Sequence, residues 1–191
     1  MRAMSDIVQI DGESLSAHDV LDLAKGRKKA QFSEYARHRV QLARDSVQGI
    51  INRGETAYGI NTGFGSLSKV SIGPDDLEDL QTNLIRSHAC ALGEDMHPED
   101  VLAMMIIRAN SLAKGNSGVR PEVVDLLLSC VHSGIAPRIP RIGSLGASGD
   151  LAPLAHLALG LLGEGEGFIR TTTGQHGGTF HGWRNTQMSA A

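Results

Sequence analysis

Gly146-Ala147-Ser148-Gly149-Asp150, running into Leu151-Ala152-Pro153-Leu154-Ala155-His156, joins a turn of small residues to the start of an apolar helix. Asp150 reads as the N-cap of that helix, and Pro153 falls in its first turn, where a missing N–H does no harm. From Leu151 to Leu162 there is almost no polar stripe apart from His156, so this helix has to be surrounded by other chain. The turn before it also suits a particular chemistry. If the Gly149 amide nitrogen attacks the Ala147 carbonyl carbon, a small ring closes, which requires a tightly bent backbone and a nearly bare attacking residue. Ring closure and loss of the Ser148 hydroxyl each release water and leave a conjugated exocyclic methylene able to accept an amine. The positive end of the following helix favours electron density building on the ring carbonyl. Such an electrophile needs no free cofactor.

Outward from this helix the dominant period is helical. Ile7 to Ile10 reads as a short strand before the Asp11-Gly12 turn. A helix follows from Ser16 to Lys25, with Ser16 as cap and Gly26 as terminator. Ser33 to Arg53 is longer, ends at Gly54 and puts Val40, Ala43, Val47, Ile50 and Ile51 on one face. Tyr58 to Ser68 is glycine-rich and aperiodic, hence a loop, and further helices are predicted near 75–92, 98–114, 121–133 and 150–162. The fold class is all-α, with no internal repeat. About six helices barely enclose one that is apolar all round, so more chain or other subunits are expected. After Gly167, Thr171-Thr-Thr-Gly and His176-Gly-Gly-Thr-Phe-His181-Gly-Trp lack a helical period and read as a loop or disordered end. A truncated or frame-shifted chain is the expectation.

Composition bounds the function. With 191 residues, 41% hydrophobic and 20% charged, the chain can bury a core as one domain or as part of a larger one. A net charge of -3 gives no basic field. The Lys25-Gly-Arg-Lys-Lys29 cluster is short, lacks interleaved aromatics and reads as a solvated helix end, so no nucleic-acid partner is expected. Cys90 and Cys130 are too few and too far apart for a disulfide framework or zinc ribbon, which suits a reducing compartment. No signal-like series opens the chain and no apolar run is long enough for a bilayer, so a cytoplasmic location without a membrane partner is expected.

Other chemistries fit less well. Ser148 is followed by Gly149 and Asp150, not by the x-Gly of a hydrolase elbow, and no strand precedes it. Gly163-Glu-Gly-Glu-Gly167 carries two carboxylates that would repel phosphate, and reads as a helix-ending turn. The eight histidines never form H-E-x-x-H, and no metal site is predicted. Asp75, Asp76, Glu78 and Asp79 sit at a helix start after Pro74, where negative charge meets the dipole favourably.

Gly143-Ser-Leu-Gly-Ala-Ser-Gly-Asp-Leu-Ala-Pro-Leu-Ala-His156 resembles the signature of the aromatic amino acid ammonia-lyases, whose Ala-Ser-Gly cyclises to a methylidene-imidazolone. Tyr58-Gly-Ile-Asn-Thr-Gly-Phe-Gly65 resembles the catalytic tyrosine loop of that family. A third block, Arg108-Ala-Asn-Ser-Leu-Ala-Lys-Gly-Asn-Ser-Gly-Val-Arg-Pro-Glu122, resembles it too, and all three stand in the family's order and spacing. The likeness covers roughly residues 5 to 167. It divides the chain into an N-terminal lyase domain over 1–167, including the electrophile loop, and a non-homologous or disordered tail over 168–191. It implies a truncated helical bundle domain of the aromatic amino acid lyase or fumarase-aspartase-like type. It also implies 4-methylidene-imidazol-5-one formed autocatalytically from Ala147, Ser148 and Gly149. Members of the family are much longer and assemble as homotetramers with active sites shared between subunits.

By that resemblance Tyr58 is the base that removes a β-proton, while the substrate α-amine adds to the exocyclic methylene. A free phenol titrates at about pH 10, so the role asks for positive dipoles and hydrogen bonds around it. An isolated tyrosine would read as a half-buried structural residue. Ser87-His88 matches the pair carried by the histidine-specific members, where the His88 imidazole can meet a substrate imidazole by a hydrogen bond. An isolated His88 would read as a helix-surface residue. The implied reaction is elimination of ammonia from L-histidine to give trans-urocanate, the opening step of histidine degradation. A tyrosine or phenylalanine lyase or aminomutase is the near alternative, and a non-catalytic remnant is the other. The family's later substrate-binding asparagine, glutamine, arginine and glutamate are absent from this sequence.

Overall fold

Serines and prolines fix where the helices begin. The computed structural model describes residues 6–62, 72–143, 151–175 and 178–188. Ala147, Ser148, Gly149 and the Asp150 cap lie outside the described residues, as does the second half of the tyrosine loop. Strand β1 (Ile7–Ile10) leads to helix α1 (Ala17–Ala24), where Ser16 and Asp19 cap each other. The Ser16 hydroxyl accepts the Asp19 N–H at 3.2 Å, and the Asp19 carboxylate accepts the Ser16 N–H at 3.3 Å. Strand β2 (Lys29–Phe32) precedes α2 (Glu34–Asn52), whose first turn is capped by Ser33. Helices α3 (Pro74–His88), α4 (Pro98–Leu112) and α5 (Pro121–Ser133) each open on a proline, which brings a helical φ and lacks an N–H that would have no partner there. Gly134 closes α5 in the left-handed region at φ 65°. Helix α6 (Leu151–Leu161) is the apolar one. Every helix predicted from period and caps is present, with ends displaced by about a turn at most.

Short strands tie these helices together. The parallel pair β1 and β2 sets Ile7 opposite Lys29 and Ile10 opposite Phe32. Val8, Ile10, Ala30 and Phe32 all point inward, as the period of two requires. Strand β3 (Leu92–Asp95) runs antiparallel to β5 (Pro140–Ile142), and β4 (Ile135–Pro137) antiparallel to β6 (Glu166–Gln175). Beyond Gly167, where the sequence predicts a loop or disordered end, β6 instead pairs with β7 (Gly178–Gln187), Glu166 opposite Gln187. The correction has a local cause. Phe168, Ile169 and the Thr171 to Thr173 run are aromatic or β-branched, and β4 and β7 offer backbone partners on both sides.

The core forms around α4. Val101, Leu102, Met105, Ile106, Ala109 and Leu112 are buried along a broad stripe that meets α1, α5 and β4. Outside it, Arg37 on α2 holds Asp125 on α5 through two bonds of 2.6 and 2.8 Å. Helix α6 packs on α3 and β4 and reaches this core through Leu157. It buries Ala152, Ala155, Leu157 and Gly160 but leaves Leu151 59% exposed, so only part of its apolar surface is covered.

Candidate active site

The tyrosine loop is held by one buried asparagine. Asn61 accepts the Ala57 N–H at 2.9 Å through Oδ1 and donates from Nδ2 to the Glu55 carbonyl at 2.8 Å. Its own carbonyl accepts the Ile72 N–H at 2.9 Å, closing the loop on itself. Gly59 follows Tyr58 at φ 77°, a turn that a side chain would strain. Tyr58 thereby stands 67% exposed at the rim of a cavity of 440 Å³. Sequence reasoning treated Asn61 only as part of a motif. An asparagine between glycines in an aperiodic stretch is the signal that it staples a turn.

His88 lines the same cavity from the last turn of α3, together with Leu84 and Ile85, while Leu151, Leu154 and Ala155 of α6 form the facing wall. Its Nδ1 lies 2.8 Å from the Leu84 carbonyl and 3.1 Å from the Ser87 hydroxyl oxygen. A carbonyl oxygen only accepts, so the proton belongs on Nδ1. The Ser87 hydroxyl itself donates to the Leu84 carbonyl at 2.9 Å and has a lone pair left for the same ring proton. This tautomer leaves Nε2 of His88 as an acceptor, suited to a ligand N–H. The predicted residues Tyr58 and His88 are therefore brought to one cavity, although 30 positions separate them in sequence.

Ala147, Ser148 and Gly149 fall outside the described residues, but the flanks of that segment are defined. A Cβ built on Gly143 would lie 2.5 Å from the Ala91 Cβ and 2.9 Å from the Ala152 Cβ. Gly143 and Ala152 thus meet at one tight junction with Ala91. His156 of α6 lines a different cavity from that of Tyr58 and accepts the Ala91 N–H at 3.1 Å through Nε2. Burial pushes its imidazole below the ordinary value, and the nearby Asp95 charge opposes that shift. Among the described residues, no group of three or more His, Cys, Asp or Glu side chains could hold a metal ion, and no helix is long and apolar enough to cross a membrane.

The aromatic amino acid lyase family matches residues 15–189. The chain belongs to that family. The match continues through the β6–β7 hairpin, past the boundary at 167 that the motifs suggest. This lyase chain is 48% identical over 161 residues to the histidine ammonia-lyase of Caldanaerobacter subterraneus subsp. tengcongensis, covering 84% of itself and 32% of that relative. Among solved structures it is similar to histidine ammonia-lyase from Trypanosoma cruzi, with a TM-score of 0.76, 42% identity, and coverage of 85% and 31% of the two chains. It is also similar to tyrosine aminomutase from Streptomyces globisporus, with a TM-score of 0.77, 33% identity, and coverage of 91% and 31%. The chain spans about a third of the length of the curated relatives it matches.

Proposed function

We propose that this lyase chain carries the Tyr58, His88 and Ala147-Ser148-Gly149 parts of a histidine ammonia-lyase site, which eliminates ammonia from L-histidine to leave trans-urocanate. The observation that carries this reading is the shared cavity of Tyr58 and His88 against α6, with His88 Nε2 left as an acceptor. In this reading His88 accepts the substrate imidazole N–H, which selects histidine over a phenyl side chain. The apolar wall of Leu84, Leu151 and Leu154 packs against the substrate side chain. Tyr58 takes the β-proton at its phenolic oxygen; the Cβ–H electron pair becomes the new double bond, and the Cα–N pair leaves with ammonia. The methylidene-imidazolone formed from Ala147, Ser148 and Gly149 supplies an electrophilic carbon for the substrate amine. A cytoplasmic homotetramer is proposed on the family likeness alone.

The test is intact mass followed by turnover. A deficit of two waters in the peptide containing Ala147 to Gly149, with ultraviolet detection of urocanate from L-histidine, is the expected result. Tyr58→Phe should nearly abolish turnover, and His88→Leu should raise KM for histidine roughly tenfold, the order expected for one lost hydrogen bond. Preference for phenylalanine or tyrosine over histidine would overturn the substrate and leave the chemistry. The second reading, a non-catalytic lyase segment, is favoured by the exposure of Tyr58 and Leu151. It predicts the encoded mass and no urocanate.

A further inference from the structure

Helix α3 ends at His88, and the donors that follow it show where the chain is held. The Ala89 N–H returns to the Ile85 carbonyl at 3.1 Å and the Cys90 N–H to the His88 carbonyl at 2.9 Å. The Ala91 N–H is the first to leave the helix, and it goes to Nε2 of His156 on α6. Ala91 is buried there, in a junction with Gly143 and Ala152 that has no room for an added methyl. His156 is the only polar residue on the apolar α6. It lines a separate cavity of 250 Å³ with Arg138, Glu164 and Glu166, and does not line the one shared by Tyr58 and His88.

We propose that His156 is a positioning residue: its neutral imidazole, by accepting the Ala91 N–H, pins the chain just after His88 to α6 and so sets where the His88 ring stands over the cavity. It touches no substrate and acts through His88, and its consequence for histidine binding rests on the reading of His88 as the imidazole contact. The requirement is chemical. Only a side chain offering an acceptor at the reach of Nε2 serves, which glutamine can imitate through its carbonyl oxygen and leucine cannot. Among the described residues, Arg138, Glu164 and Glu166 line the cavity beside the ring and the Asp95 charge acts on it, with Arg138 paired to both Asp95 and Glu166.

The experiment is amide hydrogen exchange and His88 ring nitrogen resonances in the isotope-labelled 191-residue chain, comparing wild type, His156→Leu and His156→Gln. His156→Leu is expected to speed Ala91 exchange by about tenfold and shift the His88 ring signals while Met105 stays protected, and His156→Gln to restore both. Unchanged Ala91 and His88 signals in His156→Leu, or protection lost equally at Met105, would overturn the proposal. If His156→Leu does not fold, acid titration of the wild type decides: the Ala91 amide shift must follow the His156 titration, and an Ala91 shift that ignores it overturns the proposal. None of these signals depends on turnover. Adding L-histidine to the same samples separately tests whether His88 meets an imidazole, so failure of that reading is distinguishable.

Discussion

At His156, protonation of Nε2 would set a donor against the Ala91 N–H, another donor, so the neutral form belongs to the folded state. Its folded pKa lies below the ordinary value through burial. Between the folded value and the unfolded one of about 6.5, the unfolded chain binds more protons, so stability rises with pH across that window. The contribution is complete above about pH 6.5 and is lost as pH falls through the folded value. Urea midpoints should be lower at about pH 5.5 than at about 7.5, and the gap should shrink in His156→Gln. Hydrogen bonds from Ser14 and Ser16 hold the Asp11 and Asp19 carboxylates below their ordinary value. Two glycines separate backbone strain from crowding. At Gly59 an added Cβ meets nothing within 4 Å, so Gly59→Ala should cost about 1 kcal/mol through its positive φ alone. Gly143→Ala drives a Cβ against the small, backbone-fixed Ala91 and Ala152 and should cost more, about 1–3 kcal/mol. Thermal melts of both variants check the order.

Among the elements, those that carry their own punctuation were legible. Ser16 and Ser33 cap α1 and α2, and Pro74, Pro98 and Pro121 open α3, α4 and α5, all from residues within a turn of the helix they start. Ser16→Ala removes one half of a reciprocal cap and should lower stability by about 1 kcal/mol, read as a shift in urea midpoint with an unchanged slope. The strands were legible only at β1. Strand β2 alternates as β1 does, but its Lys29 belongs to a charged cluster that reads as a helix end, whereas β3 to β5 are three or four residues long without that alternation and owe their extended form to a distant partner. The β6–β7 hairpin had a visible signal in its threonine run, outweighed in the reading by glycines and the absence of a helical period.

For the whole molecule, the cavity between α3 and α6 is an apolar opening at the surface, not a sealed core. Leu84, Ile85, Leu151 and Leu154 line it, so the folded chain should enhance the fluorescence of anilinonaphthalene sulfonate, and Leu154→Gln should reduce that signal without unfolding the α4 core. Equal dye fluorescence in the variant would place the binding elsewhere. The sequence by itself determined the helices and the family, because caps, periods and short motifs are set by neighbours within a few positions. Tertiary structure alone decided that Tyr58 and His88 share a cavity, that Gly143 meets Ala91 and Ala152, and that His156 takes a proton donor 65 positions away. Those contacts depend on how α6 docks on α3, and that docking is chosen by packing of the whole chain, not by any local preference.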